Sequence, residues 1–249
     1  MNTKAEYPFQ VRSYECGPDG VATLATICNY LQETASLHAE ALGFSKNDFA
    51  ASGMNTTWVL TRLRVKMTRY PRWEEHVTVT TFPRGGRRIT AQRDFILSVG
   101  GETLGVATSE WMIIDLASRK IAAVPARVYQ LANDEEPPVL GADAFSKLRW
   151  DCRETCAAET FRARRGDIDL NGHVNNVRYI EWVVESLPAD AQRIVDFEIV
   201  FKSETFAGDE VRTEAVEVLP GVFAAHAAAT DGRDHVVAKL TTAAATSLL

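Results

Sequence analysis

Apolar positions follow two regimes along the chain, and each regime appears twice. Within residues 21–42 they fall at helical intervals, with Leu24, Ile27, Leu31 and Leu37 on one side, after a Gly17-Pro18-Asp19-Gly20 turn. Within residues 175–187 the spacing returns through Val177, Ile180, Val183, Val184 and Leu187, and Pro188 stops it. A short strand-like stretch precedes each helix, at residues 8–13 and 159–163. After each helix the period drops to two. Residues 57–68 set Val59, Thr61, Leu63, Val65 and Met67 against Leu60, Arg62, Arg64 and Lys66, as in a half-buried strand. Further strand-like runs follow at residues 77–82, 89–99 and 104–114, the last two joined by Gly100-Gly101. The second half repeats the order with residues 195–201, 211–218, 222–229 and 236–242, turned by Pro220-Gly221 and Asp231-Gly232. Tyr30-Leu31-Gln32-Glu33-Thr34 lies over Trp182-Val183-Val184-Glu185-Ser186, and Trp73-Glu74-Glu75 over Gly208-Asp209-Glu210. The repetition points to an internal duplication.

A helix followed by an antiparallel meander buries its apolar side when the sheet curls around it. The pattern therefore predicts an α+β protein, a tandem double hotdog with two long central helices wrapped by one continuous curved antiparallel sheet. Joining two copies protects a sheet edge that a single copy would leave open. The expected divisions are residues 1–132, a Pro- and acid-rich linker at 133–150, and residues 151–249.

A chain of 249 residues with 46% hydrophobic residues has enough apolar side chains for such a shared core. No run of about eighteen apolar residues occurs, so no stable membrane insertion is expected. The N-terminus lacks the build of a secretory signal and the first strand-like stretch begins close to Met1. A cytoplasmic protein of bacterial or archaeal origin, or a chain already trimmed of its leader, is the expectation. The net charge of -6 argues against nucleic-acid binding. Charge is uneven, however: Arg62, Arg64, Lys66, Arg69, Arg72, Arg84, Arg87, Arg88 and Arg93 share their stretch with only Glu74 and Glu75 as acids. This is either a solvated strand face or a docking surface for an acidic partner. Arg69, Arg72, Arg84, Arg87 and Arg88 lie at predicted strand ends and turns, where side chains reach solvent. Cys16, Cys28, Cys152 and Cys156 form no paired C-x-x-C knuckles and read as reduced thiols rather than a metal site or disulfide framework.

Polar functional groups are densest at Asp167-Ile168-Asp169-Leu170-Asn171-Gly172-His173-Val174-Asn175-Asn176, where a loop feeds the second helix. A helix start offers unpaired N–H groups and a positive dipole end, which suits a developing oxyanion. A carboxylate, an amide and an imidazole on alternate positions can face one side of an extended loop. Asp and Asn also cap helices, so Asn171, Asn175 or Asn176 can equally be structural. Capping alone does not call for Asp169 and His173. A second cluster, Lys202-Ser203-Glu204-Thr205, ends the strand after this helix. A charged strand end is commonly plain surface, but this strand packs along the helix in the expected fold and would bring Glu204 toward the loop as a general base.

These segments resemble a known family. The run from Asp169 through Asn171, His173, Asn175, Asn176, Tyr179 and Trp182 to Glu185-Ser186 is similar to the signature helix of the plant and bacterial acyl-acyl-carrier-protein thioesterases. Thr57-Trp58-Val59-Leu60-Thr61-Arg62, continuing to Arg69-Tyr70-Pro71-Arg72-Trp73, resembles the matching strand of their N-terminal half. Arg12-Ser13-Tyr14-Glu15 and Ala107-Thr108-Ser109-Glu110-Trp111 resemble further landmarks. The resemblance implies an acyl pocket shaped by the N-terminal half and catalytic groups at Asp169, Asn171, His173 and Glu204. It implies hydrolysis of a fatty acyl-phosphopantetheine thioester on acyl carrier protein, with no metal or cofactor. It leaves room for a homodimer. One departure matters: plant members carry cysteine directly after the glutamate, where this chain has Thr205. A hydroxyl is a far weaker nucleophile than a thiolate, which favours direct attack by water. In that scheme Glu204 takes the proton, His173 and Asn171 position water and thioester, Asp169 orients Asn171 or His173, and helix N–H groups hold the oxyanion.

Three other readings compete. An acyl-CoA thioesterase shares the chemistry and differs in carrier. A hotdog dehydratase fits poorly, because its Asp-x-Asn-Pro-x-His pattern differs from Asn171-Gly172-His173. A non-catalytic acyl-binding module remains open because fold alone does not set function.

Overall fold

A computed structural model describes residues 3–133, 135–151 and 157–243. The chain clusters into two units: residues up to Leu63 with Arg69–Ala144, and Arg64–Thr68 with the chain from Phe145 onward. Of the four cysteines, Cys16 and Cys28 are free thiols, and burial pushes the Cys28 thiol well up from its usual range. Cys152 and Cys156 lie outside the described residues.

In the first unit β1 (Ala5–Gln10) leads to α1 (Leu24–Ala41). Thr23 starts this helix: its hydroxyl accepts the Thr26 N–H at 3.1 Å, satisfying a donor that the first turn leaves open. At the other end Gly43 takes φ 75, a left-handed conformation that lets the chain reverse, and the Phe44 N–H caps Ala39 O at 2.8 Å. The buried stripe runs through Leu24, Ile27, Cys28, Leu31, Ala35 and His38. Leu37, expected on this face, is exposed, because six residues beyond Leu31 is about 240° around a helix. His38 takes the inward position. Its Nδ1 accepts from the Arg93 guanidinium at 2.6 Å, and burial together with that cation holds the imidazole down to about 4, so it stays neutral.

Two short helices and five strands complete this unit: α2 (Lys46–Ala51), β2 (Thr56–Met67), β3 (His76–Arg87), β4 (Thr90–Val99), β5 (Glu102–Asp115), β6 (Ile121–Ala122) and α3 (Ala126–Tyr129). The strand order is β1-β3-β4-β5-β2 with β6 beside β5. α1 packs on β1 and β3. Phe44, Phe49, Ala91, Ile113, Val124 and Val128 form a separate apolar cluster under α2 and α3. These two helices escape a periodicity reading because six and four residues are too few to show a helical stripe. β2 also departs from strict alternation. Leu60, expected on the polar face, is buried along with Thr57, Leu63, Val65 and Met67, because both faces of this strand are partly covered.

The second unit repeats the plan with β7 (Ala157–Arg162), α4 (Asn176–Glu185), β8 (Ile194–Phe201), β9 (Glu210–Leu219), β10 (Val222–Ala229) and β11 (Asp234–Thr242). Its order is β8-β11-β10-β9-β7, with antiparallel registers throughout the last four pairings. α4 packs on β9 and β10. At ten residues it is shorter than the long helix expected here; the chain leaves it at Ser186, two residues before Pro188. The duplication holds with one shift. Equivalent backbone bonds pair Glu74 and Glu75 with Gly208 and Asp209, one residue from the register the sequence suggested: Glu74 N–H to Val11 O at 3.0 Å matches Gly208 N–H to Ala163 O at 2.8 Å.

Among the described residues 133–151 there is no helix or strand. Two buried carboxylates pin this stretch instead. The Val139 N–H donates to Asp94 in the first unit at 3.1 Å, and the Ser146 N–H and hydroxyl donate to Glu198 in the second at 2.7 and 2.6 Å. No helix of the described residues is long and apolar enough to cross a membrane.

Candidate active site

All four residues expected to carry chemistry belong to the second unit, and its local folding explains their arrangement. After β7 a single helical turn at Arg165–Asp167 redirects the chain. The loop then closes on itself through an isolated bridge between Ile168 and Val174, with the Asp169 N–H bonded to His173 O at 2.8 Å. Gly172 sits at φ 82, where a side chain would be strained, and its N–H returns to Asp169 O at 3.0 Å. The loop is thus a tight hairpin whose tip, Leu170, is fully exposed.

The carboxylate of Asp169 turns inward to the loop. Its Oδ1 accepts the Asn171 N–H at 2.7 Å and its Oδ2 lies 3.5 Å from the Asn171 amide nitrogen. Asp169 therefore acts on Asn171 rather than on His173. The start of α4 is capped by Asn175, whose Oδ1 accepts the Val177 N–H at 2.9 Å and whose carbonyl accepts from Arg178 at 2.9 Å. Of the helix N–H groups expected to hold the oxyanion, those of Val177 and Arg178 are thus bonded to Asn175. Asn171 is exposed at the loop, and its amide has a second N–H besides the one turned to Asp169.

Glu204 arrives from the segment after β8. The Val174 N–H donates to Thr205 O at 2.9 Å, and this one bond sets the residues on either side of it, His173 and Glu204, next to each other. His173 Nε2 lies 3.4 Å from Glu204 Oε2, with both side chains partly exposed. That separation exceeds a short hydrogen bond and suits a pair that closes on substrate. Phe206 was missed in the sequence. It is half exposed, which is unusual for so large an apolar side chain, and its ring meets the His173 imidazole edge to face at 5.2 Å. Its signal was an aromatic residue two positions beyond the glutamate, at the first position of the Phe206-Ala207-Gly208-Asp209 turn. Thr205 is completely buried and its Oγ1 has no exposed surface. Among the described residues no three His, Cys, Asp or Glu side chains cluster as a metal site would require.

Comparison with known proteins adds to this geometry. Residues 2–132 match the Acyl-ACP thioesterase N-terminal domain, and residues 152–242 match the Acyl-ACP thioesterase C-terminal domain. The chain belongs to the acyl-ACP thioesterase family. Within it, the chain is 37% identical over 202 residues to the chloroplastic oleoyl-acyl carrier protein thioesterase 1 of Arabidopsis thaliana, covering 76% of this chain and 55% of that protein. It is 32% identical over 252 residues to the oleoyl-acyl carrier protein thioesterase of Coriandrum sativum, covering 91% of this chain and 68% of that one. The chain thus spans about half the length of several family relatives that it matches. Among solved structures, an acyl-ACP thioesterase from Bacteroides thetaiotaomicron superposes with a TM-score of 0.87 at 28% identity, over 96% of this chain and 98% of that one. The 12:0-ACP thioesterase of Umbellularia californica has the same fold, with a TM-score of 0.85 at 23% identity, over 97% of each chain. The family fold is the double hotdog expected from the hydrophobic pattern.

The arginines expected to dock a partner divide into two groups. Arg84 is largely buried against Asp94 at 2.9 Å, and Arg69 bonds Glu75 at 2.8 Å with Glu102 at 3.7 Å. Neither reaches solvent in the way its place at a strand end suggested, because acids from neighbouring strands and turns lie within reach. Arg72, Arg87 and Arg88 are exposed.

Proposed function

We propose that this chain hydrolyses fatty acyl thioesters carried on acyl carrier protein, releasing free fatty acid and the carrier's free thiol. The observation that carries the reading is the His173–Glu204 pair at 3.4 Å beside the Asp169–Asn171 loop, in a member of this family. Glu204 removes a proton from water held by His173, and the water oxygen bonds to the thioester carbonyl carbon. The Asn171 amide, oriented by Asp169, donates to the oxyanion. Collapse of the intermediate breaks the C–S bond, and the proton passes from Glu204 or His173 to the departing sulfur. Thr205 is not the nucleophile: its hydroxyl is weakly acidic and substrate cannot reach it. The scheme calls for no cofactor.

An acidic chain that serves an acidic carrier needs a local positive surface. Arg72, Arg87 and Arg88 supply it most directly, with Arg69 and Arg84 holding the neighbouring strands through their ion pairs. The reaction then belongs in the compartment that holds the carrier, which in a bacterium is the cytoplasm.

The test is an assay of fatty acid and thiol released from a ladder of acyl carrier protein substrates and from the matching acyl-CoA thioesters. Equal amounts of acid and thiol, released fastest from the protein carrier, support the reading. Equal efficiency on acyl-CoA moves it to an acyl-CoA thioesterase, a double-bond change to a dehydratase, and no release from any carrier to a binding module.

A further inference from the structure

Glu204 sits on no strand, in an irregular stretch where a side chain would be free to wander, yet both of its neighbours are tied down. On one side Ser203 Oγ donates to Asp234 O at 3.0 Å and lies 2.9 Å from His235 Nδ1. A serine hydroxyl has one proton. With that proton on Asp234 O, the proton between serine and imidazole belongs to Nδ1, and His235 Nε2 is the bare nitrogen. His235 is buried, which lowers its pKa and keeps it neutral. On the other side Thr205 is held by its carbonyl to Val174, and its hydroxyl lies beside the Tyr179 phenol of α4. Burial pushes that phenol up to about 12, outweighing the Thr205 hydroxyl and reinforced by the Glu204 charge.

Three polar ends on the residues that flank Glu204 and on their partners, Tyr179 Oη, Thr205 Oγ1 and His235 Nε2, have no exposed surface and make no hydrogen bond of normal geometry with the described residues. The Tyr179 and His235 rings lie 6.0 Å apart. Burying polar groups in this way is costly. Three of them on the two flanks of one carboxylate-bearing residue mark a spot where stability is given up for position.

We propose that Ser203 with His235, and Thr205 with Tyr179, are positioning residues that clamp Glu204 from both flanks and set its carboxylate against His173. The clamp rests on the reading of Glu204 as general base. The same geometry rules out Ser203 as a nucleophile, because an activating imidazole must turn a bare nitrogen to the serine and His235 turns an N–H.

The experiment measures kcat and KM on one acyl carrier protein substrate for Ser203→Ala, Thr205→Val and Thr205→Ser, alone and combined with Glu204→Gln. Removing either hydroxyl should lower kcat about tenfold, the scale on which small misplacements slow a reaction, with KM changed less than about twofold. Thr205→Ser keeps the hydroxyl and should restore kcat. In the Glu204→Gln background the same substitutions should cost less than about twofold, since the base they position is gone. Unchanged kcat in folded Ser203→Ala and Thr205→Val overturns the clamp and leaves the base assignment standing. Equal losses with and without Glu204 also overturn it, in favour of a purely structural role, as does an acyl adduct on Ser203. Wild-type turnover in Glu204→Gln instead removes the base and the clamp with it. Melting temperatures report folding, and Tyr179→Phe carries the same expectation if Thr205→Val does not fold.

Discussion

The two units hand a strand to a helix through the same loop, built twice from different residues. In the first, the Gly17 N–H bonds Val21 O at 2.9 Å, Gly20 returns to Gly17 O at 3.0 Å, and the Ala22 N–H reaches Pro71 O at 2.9 Å. In the second, Asp169 bonds His173 O at 2.8 Å, Gly172 returns to Asp169 O at 3.0 Å, and Val174 reaches Thr205 O at 2.9 Å. Gly20 and Gly172 take φ 72 and 82 at the same step. Even the entering turn agrees: the Arg12 N–H meets the Glu15 carboxylate at 2.8 Å, and the Arg164 N–H meets that of Asp167 at 2.7 Å. What differs is confined to side chains. Gly17, Asp19, Val21 and Tyr70 stand where the second unit has Asp169, Asn171, His173 and Glu204. The backbone frame is therefore the general solution for starting the buried helix, and the proposed chemistry is four substitutions laid on one copy of it.

If that contrast is right, the largest effects separate the loops cleanly. Glu204→Gln and His173→Gln should each lower turnover by roughly two to four orders of magnitude with folding retained, whereas Tyr70→Phe and Val21→Ala should leave kcat within about twofold. Comparable losses in both loops would remove the asymmetry.

Asp169→Asn weakens the acceptor for the Asn171 N–H without changing shape and should cost on the order of tenfold in kcat, within the range of a weakened charged hydrogen bond. Asp19→Asn, which alters the acceptor of the Val21 N–H at 3.1 Å in the first loop, should leave turnover unaffected. Steady-state kinetics on the two variants decide this.

A third contrast lies where the chain turns after the neighbouring strand segment. There the first unit exposes Arg72 and the second places Phe206 on His173. Raising salt shortens the Debye length from about 8 Å at physiological strength to about 3 Å at 1 M. The specificity constant for a carrier-protein substrate should then fall several-fold, and that for a small acyl-pantetheine should hardly move. Charge reversal at Arg72, Arg87 and Arg88 should reproduce the loss at low salt. If neither treatment separates the two substrates, these arginines do not dock the carrier.

The smallest effects should be shared. Thr23→Ala and Asn175→Ala each remove an N-cap and should destabilise by about 1 kcal/mol. Thermal or denaturant unfolding that finds one cap far more important than the other would show that the frames are not equivalent.

Much of this was legible in the chain itself. Helical spacing at Leu24, Ile27 and Leu31 and at Val177, Ile180 and Val183 located both central helices, because one apolar face must repeat about every 3.6 residues to stay buried. The glycine turns, the alternating strands and the Asp169–His173 cluster were visible for similarly local reasons. Helical spacing itself sets Leu37 off the stripe and His38 on it, seven residues beyond Leu31. What it could not supply is the partner that lets an imidazole sit inward: Arg93, 55 positions away, meets His38 across the core.

The sequence alone thus determined the class of fold and the duplication and singled out the candidate side chains, all of which depend on residue type and short spacing. Tertiary structure decided which of them meet. Glu204 lies 31 positions beyond His173 and is brought to 3.4 Å by the Val174–Thr205 bond. Arg69 and Arg84 are drawn into ion pairs with Glu75 and Asp94. The Tyr179 ring of α4 and the His235 ring at the start of β11 come within 6.0 Å of each other. Such pairings depend on chain crossings that no local period encodes, because a side chain's partner across a sheet is set by register and packing rather than by its neighbours in sequence.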